Sequence, residues 1–509
     1  MSKIHMLKPN RPLALLGYAT LGLLGSLALS ANEIKEVPLH IEQSELNAMT
    51  EANKHLEAFQ LAFDVGDELF EHPFLAEEGI GANVGNGHHF TLVPRADLSQ
   101  DKQWANHIPK RVTGPNAQSC TVCHGQPFGD GAGPVVMNNI RDPLHSGDIS
   151  QFINRQTPHL FGIGALQRLA EEMSEDLEKI RRSAIITARN SGQPITRTLR
   201  SKGIHYGSIT VHPDGTVDNS QIVGIDDDLL VKPIEWKGLT SNIRAFVRDA
   251  AHNELGMQAT EITGDNIDGD GDGVVNELSV GDITALVIYQ AAQPRPTSKK
   301  ELSWLGIIPP LSLEERRQIN LGEKLFEDVG CGSCHQSQLT LKDPIYTEPS
   351  QNSKFRDTRF PAGQDPKAYG LSPLNPIRFD LTQDLPDNIV EHANGQITHL
   401  GNFEKAPNGG AIVRLYGDLK RHDMGTALAE AIDEGGKGRS TFLTKELWGV
   451  GSTAPYLHDG RATTLEEAIQ LHGGDSAYSR EKFNAMNEEN RQAIIAFLDN
   501  LVLYKNEEE

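Results

Sequence analysis

Apolar residues along the chain fall mostly at helical spacing. Leu46, Met49, Leu56, Phe59 and Phe63 recur at three- and four-residue steps or their multiples, which predicts a helix over residues 33–63. Gly66-Asp67-Glu68-Leu69-Phe70-Glu71 follows and returns as Gly322-Glu323-Lys324-Leu325-Phe326-Glu327, a weak internal repeat. Residues 165–189 read as a long amphipathic helix and 282–292 as a shorter one, which Gln293-Pro294-Arg295-Pro296 breaks. Residues 204–223 alternate apolar and polar around Pro213-Asp214-Gly215, a hairpin signal. Residues 125–164 and 340–380 are rich in Gly, Pro, Asp and Asn and read as loop. Ser312-Leu313-Glu314-Glu315 is a capping box for a helix running to about residue 327. Thr463-Thr464-Leu465-Glu466 is a second, and its helix puts Leu465, Ala468, Ile469 and His472 on one stripe facing the core. A last helix, 488–503, carries Ile494, Phe497, Leu498 and Leu501 on the side that would pack on the Ser312 helix.

Two short motifs give this frame its chemistry. Cys120-Thr121-Val122-Cys123-His124 and Cys331-Gly332-Ser333-Cys334-His335 are both C-x-x-C-H, the pattern of covalent c-type haem attachment. Each thiol adds to one vinyl group on the same haem edge, and the adjacent His reaches the iron. The motifs use all four cysteines, so no thiol remains for a disulfide or a nucleophile. A zinc site made of both pairs would not explain why each pair is followed directly by His. The repeated Gly-to-Glu segment stands four residues before the second motif, whereas an insertion, 79–119, separates its first copy from the first motif. The expected fold is mainly α: two cytochrome c-like haem domains related by duplication, with small β and loop insertions in the first. The divisions are a signal peptide at 1–31, an N-terminal haem domain at 32–298 and a C-terminal haem domain at 299–509. His145 and His159 are both candidates for the far side of the first haem. Asp268-Gly269-Asp270-Gly271-Asp272-Gly273 fits a calcium loop, with Val275 as its apolar eighth residue and Asn276 as a further ligand. Position twelve is Ser279 and not Glu, so Glu277 or Asp282 would substitute; the alternative is an acidic turn without metal.

Charge and the N-terminus narrow the setting. Lys3, Lys8 and Arg11 precede a largely apolar stretch over 12–29, and Ala28-Leu29-Ser30-Ala31 offers small residues for cleavage, a secretory leader, with an uncleaved anchor as the alternative. Nothing later is long and apolar enough to cross a membrane. Haem attachment to C-x-x-C-H takes place outside the cytoplasm, which makes the periplasm the expected address. The 47 Lys+Arg and 69 Asp+Glu give −22, and loss of the leader removes three positive charges and no acids, leaving −25. Such a surface argues against nucleic acid and anionic membranes and suits a basic electron-transfer protein or a neutral small substrate.

Leu447-Trp448-Gly449-Val450-Gly451, then Ala454-Pro455-Tyr456-Leu457-His458-Asp459-Gly460-Arg461, then Thr464-Leu465-Glu466-Glu467-Ala468-Ile469 resembles the C-terminal half of bacterial di-haem cytochrome c peroxidases. The closer match is to the di-haem oxidoreductase family, sometimes labelled thiol oxidoreductases; His422-Asp423-Met424-Gly425 and His472-Gly473-Gly474-Asp475 look like that family too, and Asp268–Gly273 and Glu235-Trp236-Lys237 do so more weakly. The resemblance implies a periplasmic peroxidase, two haem c groups, hydrogen peroxide or another small oxidant, and electrons from a small cytochrome or cupredoxin. In those peroxidases the residue that ends the T-L-E-E-A helix is often Met and is the sixth ligand of the C-terminal haem. Here it is His472, with Met424 as the alternative; His donates more strongly to ferric iron and lowers the potential. His458, Asp459 and Arg461 are expected near the second haem, with Arg or His pairing a propionate. Trp236 or Trp448 would relay electrons or simply pack in the core. Gln167, Glu171 and Glu172 are candidates for a distal proton carrier. Two other readings stand beside the peroxidase: a di-haem electron carrier, and a di-haem oxidase or oxygenase with another substrate.

Overall fold

The computed structural model describes residues 37–81, 117–135, 138–141, 144 and 151–506. The leader at 1–31, most of the 79–119 insertion and His145 lie outside the described residues.

Two helix pairs set the frame. Helix His55–Glu71 lies against helix Val280–Ala291, and helix Leu313–Asp328 against helix Glu488–Asn500. Each pair meets at a glycine of the repeated segment. A Cβ on Gly66 would stand 2.3 Å from the Ala285 carbonyl oxygen and 2.6 Å from Tyr289 Cβ. A Cβ on Gly322 would stand 1.8 Å from the Ala493 carbonyl oxygen and 2.8 Å from Phe497 Cβ. Four residues past each glycine, Phe70 packs on Tyr289 and Phe326 on Phe497, both with ring centroids 5.4 Å apart. The weak repeat in sequence is thus a close repeat in space.

The expected helix over 33–63 is instead two, Gln43–Glu51 and His55–Glu71, and Leu56, counted on its apolar face, is exposed. Asn53 breaks it by taking φ 60°, a left-handed conformation that Asn tolerates, while Lys54 N–H closes back on the Met49 carbonyl. The long helix runs Ile163–Ser191, the 282–292 helix is Val280–Ala291, and the final one ends at Asn500, where Leu501–Val502 pairs as a strand with Thr297–Ser298. Ser312 caps its helix as read. The other capping box is one residue later than read, Thr464 with Glu467, because the Glu467 carboxylate accepts the amides of both Thr463 and Thr464.

The hairpin signal at 204–223 belongs to a three-stranded antiparallel sheet in sequence order, Ile195–Ser201, Ile204–Val211 and Val217–Ile222. Residues 340–380, expected as loop, contain the ladder Ile345–Glu348 with Ile377–Asp380. Its Tyr346 and Phe379 stack on each other, and Phe379 stacks on Phe59 at 4.7 Å. Four-residue strands are too short for an alternating pattern to stand out from loop composition. The largest apolar core therefore joins side chains from 41–292 with Leu339, Tyr346, Phe379, Val413 and Trp448 from the later chain. Buried ions cross the same seam: Arg244 pairs with Glu261 and with Glu348 at 2.9 Å, and Arg248 with Glu261 at 2.6 Å and Asp357 at 2.9 Å. A second core, including Phe326, Leu465, Phe483, Ile494 and Phe497, wraps the second motif.

Gly-to-Ala changes in exposed helix interiors stabilise by about 1 kcal/mol. Gly322→Ala drives a methyl into the Ala493 carbonyl, so we expect the opposite sign, a loss of about 1–3 kcal/mol, in denaturant unfolding. An unchanged or raised midpoint would show that the two helices do not need this contact.

Candidate functional site

The second C-x-x-C-H motif begins in a single 3-10 turn, Cys331–Ser333, at the end of the Gly322 helix. His335 is packed beside Phe326, ring centroids 6.2 Å apart. Its Nδ1 lies 2.9 Å from the Tyr416 carbonyl oxygen. A carbonyl only accepts, so Nδ1 carries the proton and Nε2 keeps its lone pair. Burial, with His472 nearby, pushes the ring down to about 4, so it is neutral, as a metal ligand must be. His335 lines a cavity together with Cys331 and Cys334, and Leu465, Ala468, Ile469 and His472 line it too. The stripe read from the sequence thus faces the motif. His472 repeats the same device: Nδ1 donates to the Ala468 carbonyl at 2.7 Å, burial lowers its pKa, and Nε2 is left as the free lone pair. Phe483, Ile494 and Leu498 make the wall apolar. Two thiols, two neutral imidazoles with oriented lone pairs and an apolar lining fit a haem. Met424 also lines the cavity. At its rim His422 bonds Asp418 at 2.8 Å; burial opposes its charge, but Asp418, with Cys334 beside it, raises it to about 10, so His422 is cationic.

The first motif is built alike. Cys120–Val122 forms the 3-10 turn, and His124 donates Nδ1–H to the Gly131 carbonyl at 3.2 Å. His124 packs on Phe70 at 5.8 Å, and burial takes it down to about 4. Burial pushes Cys120, Cys123 and Cys331 up to about 12, the reverse of a reactive thiol. Among the described residues no cluster of metal-binding side chains joins the two cysteine pairs, so nothing supports a shared zinc site.

His159 stands between the motifs. It lies close enough to His124 to disfavour its charge, yet it lines the cavity of the second motif. Its Nε2 donates to the Trp448 carbonyl at 3.0 Å, and its buried Nδ1 has no partner. The Trp448 ring is buried against Phe403 and the turn at Gly162. Trp236 is partly buried on the cavity wall and donates Nε1–H to the Gln156 carbonyl at 2.8 Å.

The remaining candidates divide. His458 lines the cavity, stacked on Phe442 at 4.3 Å, and burial takes it to about 4 although Asp459 and Glu430 favour its charge. Arg461 is outside the lining, held by Asp459 and by the Ala427 carbonyl. Gln167, Glu171 and Glu172 do not line this cavity either. Gln167 bonds the Ile243 amide and Glu171, Glu171 holds Arg168 and Ser350, and Glu172 takes the amides of Lys342 and Asp343 with the Lys202 ammonium. These three clamp the long helix to its neighbours, which explains polar residues on a buried face.

Sequence reasoning missed the ionic cluster behind the cavity. Arg155 pairs with Glu430 and with Glu434 at 2.6 Å, and the fully buried Lys237 ammonium lies 3.1 Å from Glu430 and 3.9 Å above the Phe442 ring. Glu430 Oε1 is 3.6 Å from His458 Nε2. Only Lys237, inside the Glu235-Trp236-Lys237 stretch, carried a signal; Arg155 and Glu430 are 275 residues apart. Also missed was His252, buried in the π-helical turn Ala251–Leu255, where Glu254 faces Cys120 and Cys123.

Residues 390–501 match the family model "Di-haem oxidoreductase, putative peroxidase". The resemblance is thus shown over the stretch holding His422, Met424, His458 and His472, while both C-x-x-C-H motifs lie before it. Among solved structures, the chain is similar to a hydrazine synthase from Kuenenia stuttgartiensis, with 14% identity over 85% of this chain and 94% of that one and a TM-score of 0.29. It is also similar to a MauG-like protein associated with microbial copper homeostasis, with 14% identity over 67% of this chain and 89% of that one and a TM-score of 0.28. No curated protein matches the chain.

Removing one member of a buried ion cluster leaves the others uncompensated. Glu430→Ala should lower unfolding free energy by about 3–5 kcal/mol. Arg461→Ala, at a partly exposed pair, should cost about 1 kcal/mol or less. Equal losses in chemical denaturation would contradict the difference in burial.

Proposed function

We propose that the chain is an exported di-haem c-type oxidoreductase that reduces hydrogen peroxide with electrons from a small donor protein, a cytochrome or cupredoxin. The observation that carries this reading is the single cavity bearing Cys331, Cys334 and His335 together with His472. The leader read at 1–31 supports the periplasm as its place. The recurrence of glycine contact, phenylalanine, 3-10 turn and imidazole at both motifs supports two haem domains that arose by duplication.

Cys120 and Cys123 would hold one haem and Cys331 and Cys334 the other, with His124 and His335 as proximal ligands. Haem iron supplies one-electron chemistry and, where a coordination position is open, cleavage of a peroxide bond. The protein's part is to keep the ligating rings neutral, oriented and dry. The Tyr416 and Ala468 carbonyls fix the protons of His335 and His472 on Nδ1, so both Nε2 lone pairs are available. His472 would be a second ligand of the second haem, which would suit that site to storing and passing electrons and leave the first for substrate. His159, whose buried Nδ1 keeps a lone pair and whose protonation burial disfavours, would serve as a further ligand of the first haem. Trp448, whose carbonyl holds His159, lines the same cavity and would be the residue to relay electrons. A plain electron carrier is the second reading, favoured by the two neutral histidines, His335 and His472, that line the second site.

The test is electron paramagnetic resonance and optical spectroscopy of the haem-loaded protein, oxidised and half-reduced, before and after peroxide. We expect one low-spin centre that His472→Ala turns high-spin and His472→Met shifts to higher potential. We expect the other centre to consume peroxide when donor electrons are present. Two centres that stay low-spin and inert to peroxide in every redox state would make the chain a carrier. A His472→Ala spectrum like wild type would remove His472 as a ligand.

A further inference from the structure

Outside the lining of the motif cavity, the carboxylates of Asp268, Asp270 and Asp272 come within 4.8 Å of one another on the loop before helix Val280–Ala291. Three acids on a turn do not make a site. What singles this turn out is buried behind it. Gln258 is only 2 % exposed, yet neither its Oε1 nor its Nε2 has a hydrogen-bond partner. Its amide is turned onto the loop: a Cβ added to Gly269 would stand 2.2 Å from Gln258 Oε1. An amide buried without partners loses its hydrogen bonds to water and gains none, so the fold keeps it there against a penalty.

A second buried group points the same way. Glu277 is 6 % exposed, and its Oε2 accepts the Gln258 backbone N–H at 2.6 Å. Among the described residues no lysine or arginine forms an ion pair with Glu277 or Asp268. Asp270, Asp272 and Asp268 all lie near enough to bear on its carboxylate. The base of the loop is closed, since Ala259 bridges Leu278 and Thr260 N–H reaches the Leu278 carbonyl.

We propose that this loop binds a calcium ion through Asp268, Asp270, Asp272 and Glu277, with the Gln258 amide as the neutral oxygen donor from the buried side. Oxygen-only donors rich in carboxylate on a short loop suit calcium; magnesium keeps more of its water and takes fewer protein ligands. The ligand set differs from the one the sequence suggested. Asn276 exchanges hydrogen bonds with Asn266, and Asp282 caps its own helix and holds the Ile41 amide. The ion would brace the first motif: Gln258 follows the π-helical turn, whose Glu254 carbonyl accepts the Ala117 N–H, three residues before Cys120.

The haem-loaded full chain, stripped with EDTA and desalted, is titrated with calcium chloride by calorimetry and melted with calcium, magnesium or EDTA. Expected is one calcium bound per chain at this loop, a melting temperature raised by calcium more than by magnesium, and affinity lowered roughly tenfold or more by Glu277→Gln and by the exposed Asp268→Asn. In EDTA, Glu277→Gln should melt no lower than wild type, since the amide fills the same space, can still accept the Gln258 backbone N–H and leaves no cation without a partner. A purely structural glutamate would instead lower the melting temperature in both conditions. No calcium-dependent shift, or calcium bound equally well by both variants, overturns the proposal.

Discussion

Everything around each motif depends on two helices touching backbone to backbone. Side chains normally hold helix axes about 8–10 Å apart. At Gly66 and Gly322 the absent Cβ lets a carbonyl of the partner helix occupy the space a methyl would fill. One turn later Phe70 and Phe326 can then reach both the partner's aromatic ring and the imidazole of the motif. The placement of His124 and His335 is therefore fixed by residues that carry no chemistry. Glycine weakens a helix, and the packing it permits more than offsets that loss.

Electrostatics divides the same space. The imidazoles of His124, His335 and His472 are held neutral by burial, each with Nδ1 tied to a backbone carbonyl. Formal charge is gathered elsewhere, into Arg155, Lys237, Glu430 and Glu434 behind the cavity and Arg244, Arg248, Glu261, Glu348 and Asp357 across the main core. A buried charge is tolerated only with a partner at contact distance, so these clusters also fix which distant segments must meet.

How much could be read in advance follows from the range of each interaction. The Ser312 capping box, the long amphipathic helix and the stripe from Leu465 to His472 depend on residues within a turn or two, and all three appear in the structure. The break at Asn53 is equally local, but the apolar spacing runs across it, and only the observed φ separates the two helices. The short strands of 339–380 draw their apolar partners from Phe59 and other residues far away in sequence, so their composition alone looks like loop.

The sequence by itself determined the chemistry available: four cysteines in two C-x-x-C-H motifs, a histidine at the end of an apolar helical stripe, and a repeated glycine-bearing helix before the second motif. Those features are periodic or contiguous, so chain geometry alone expresses them. Tertiary structure decided which groups face each other. It turned Gln167, Glu171 and Glu172 into helix clamps, set His159 between the motifs and brought Arg155 to Glu430. Pairings of that kind are chosen by burial and charge compensation between segments hundreds of residues apart, and no local pattern records them.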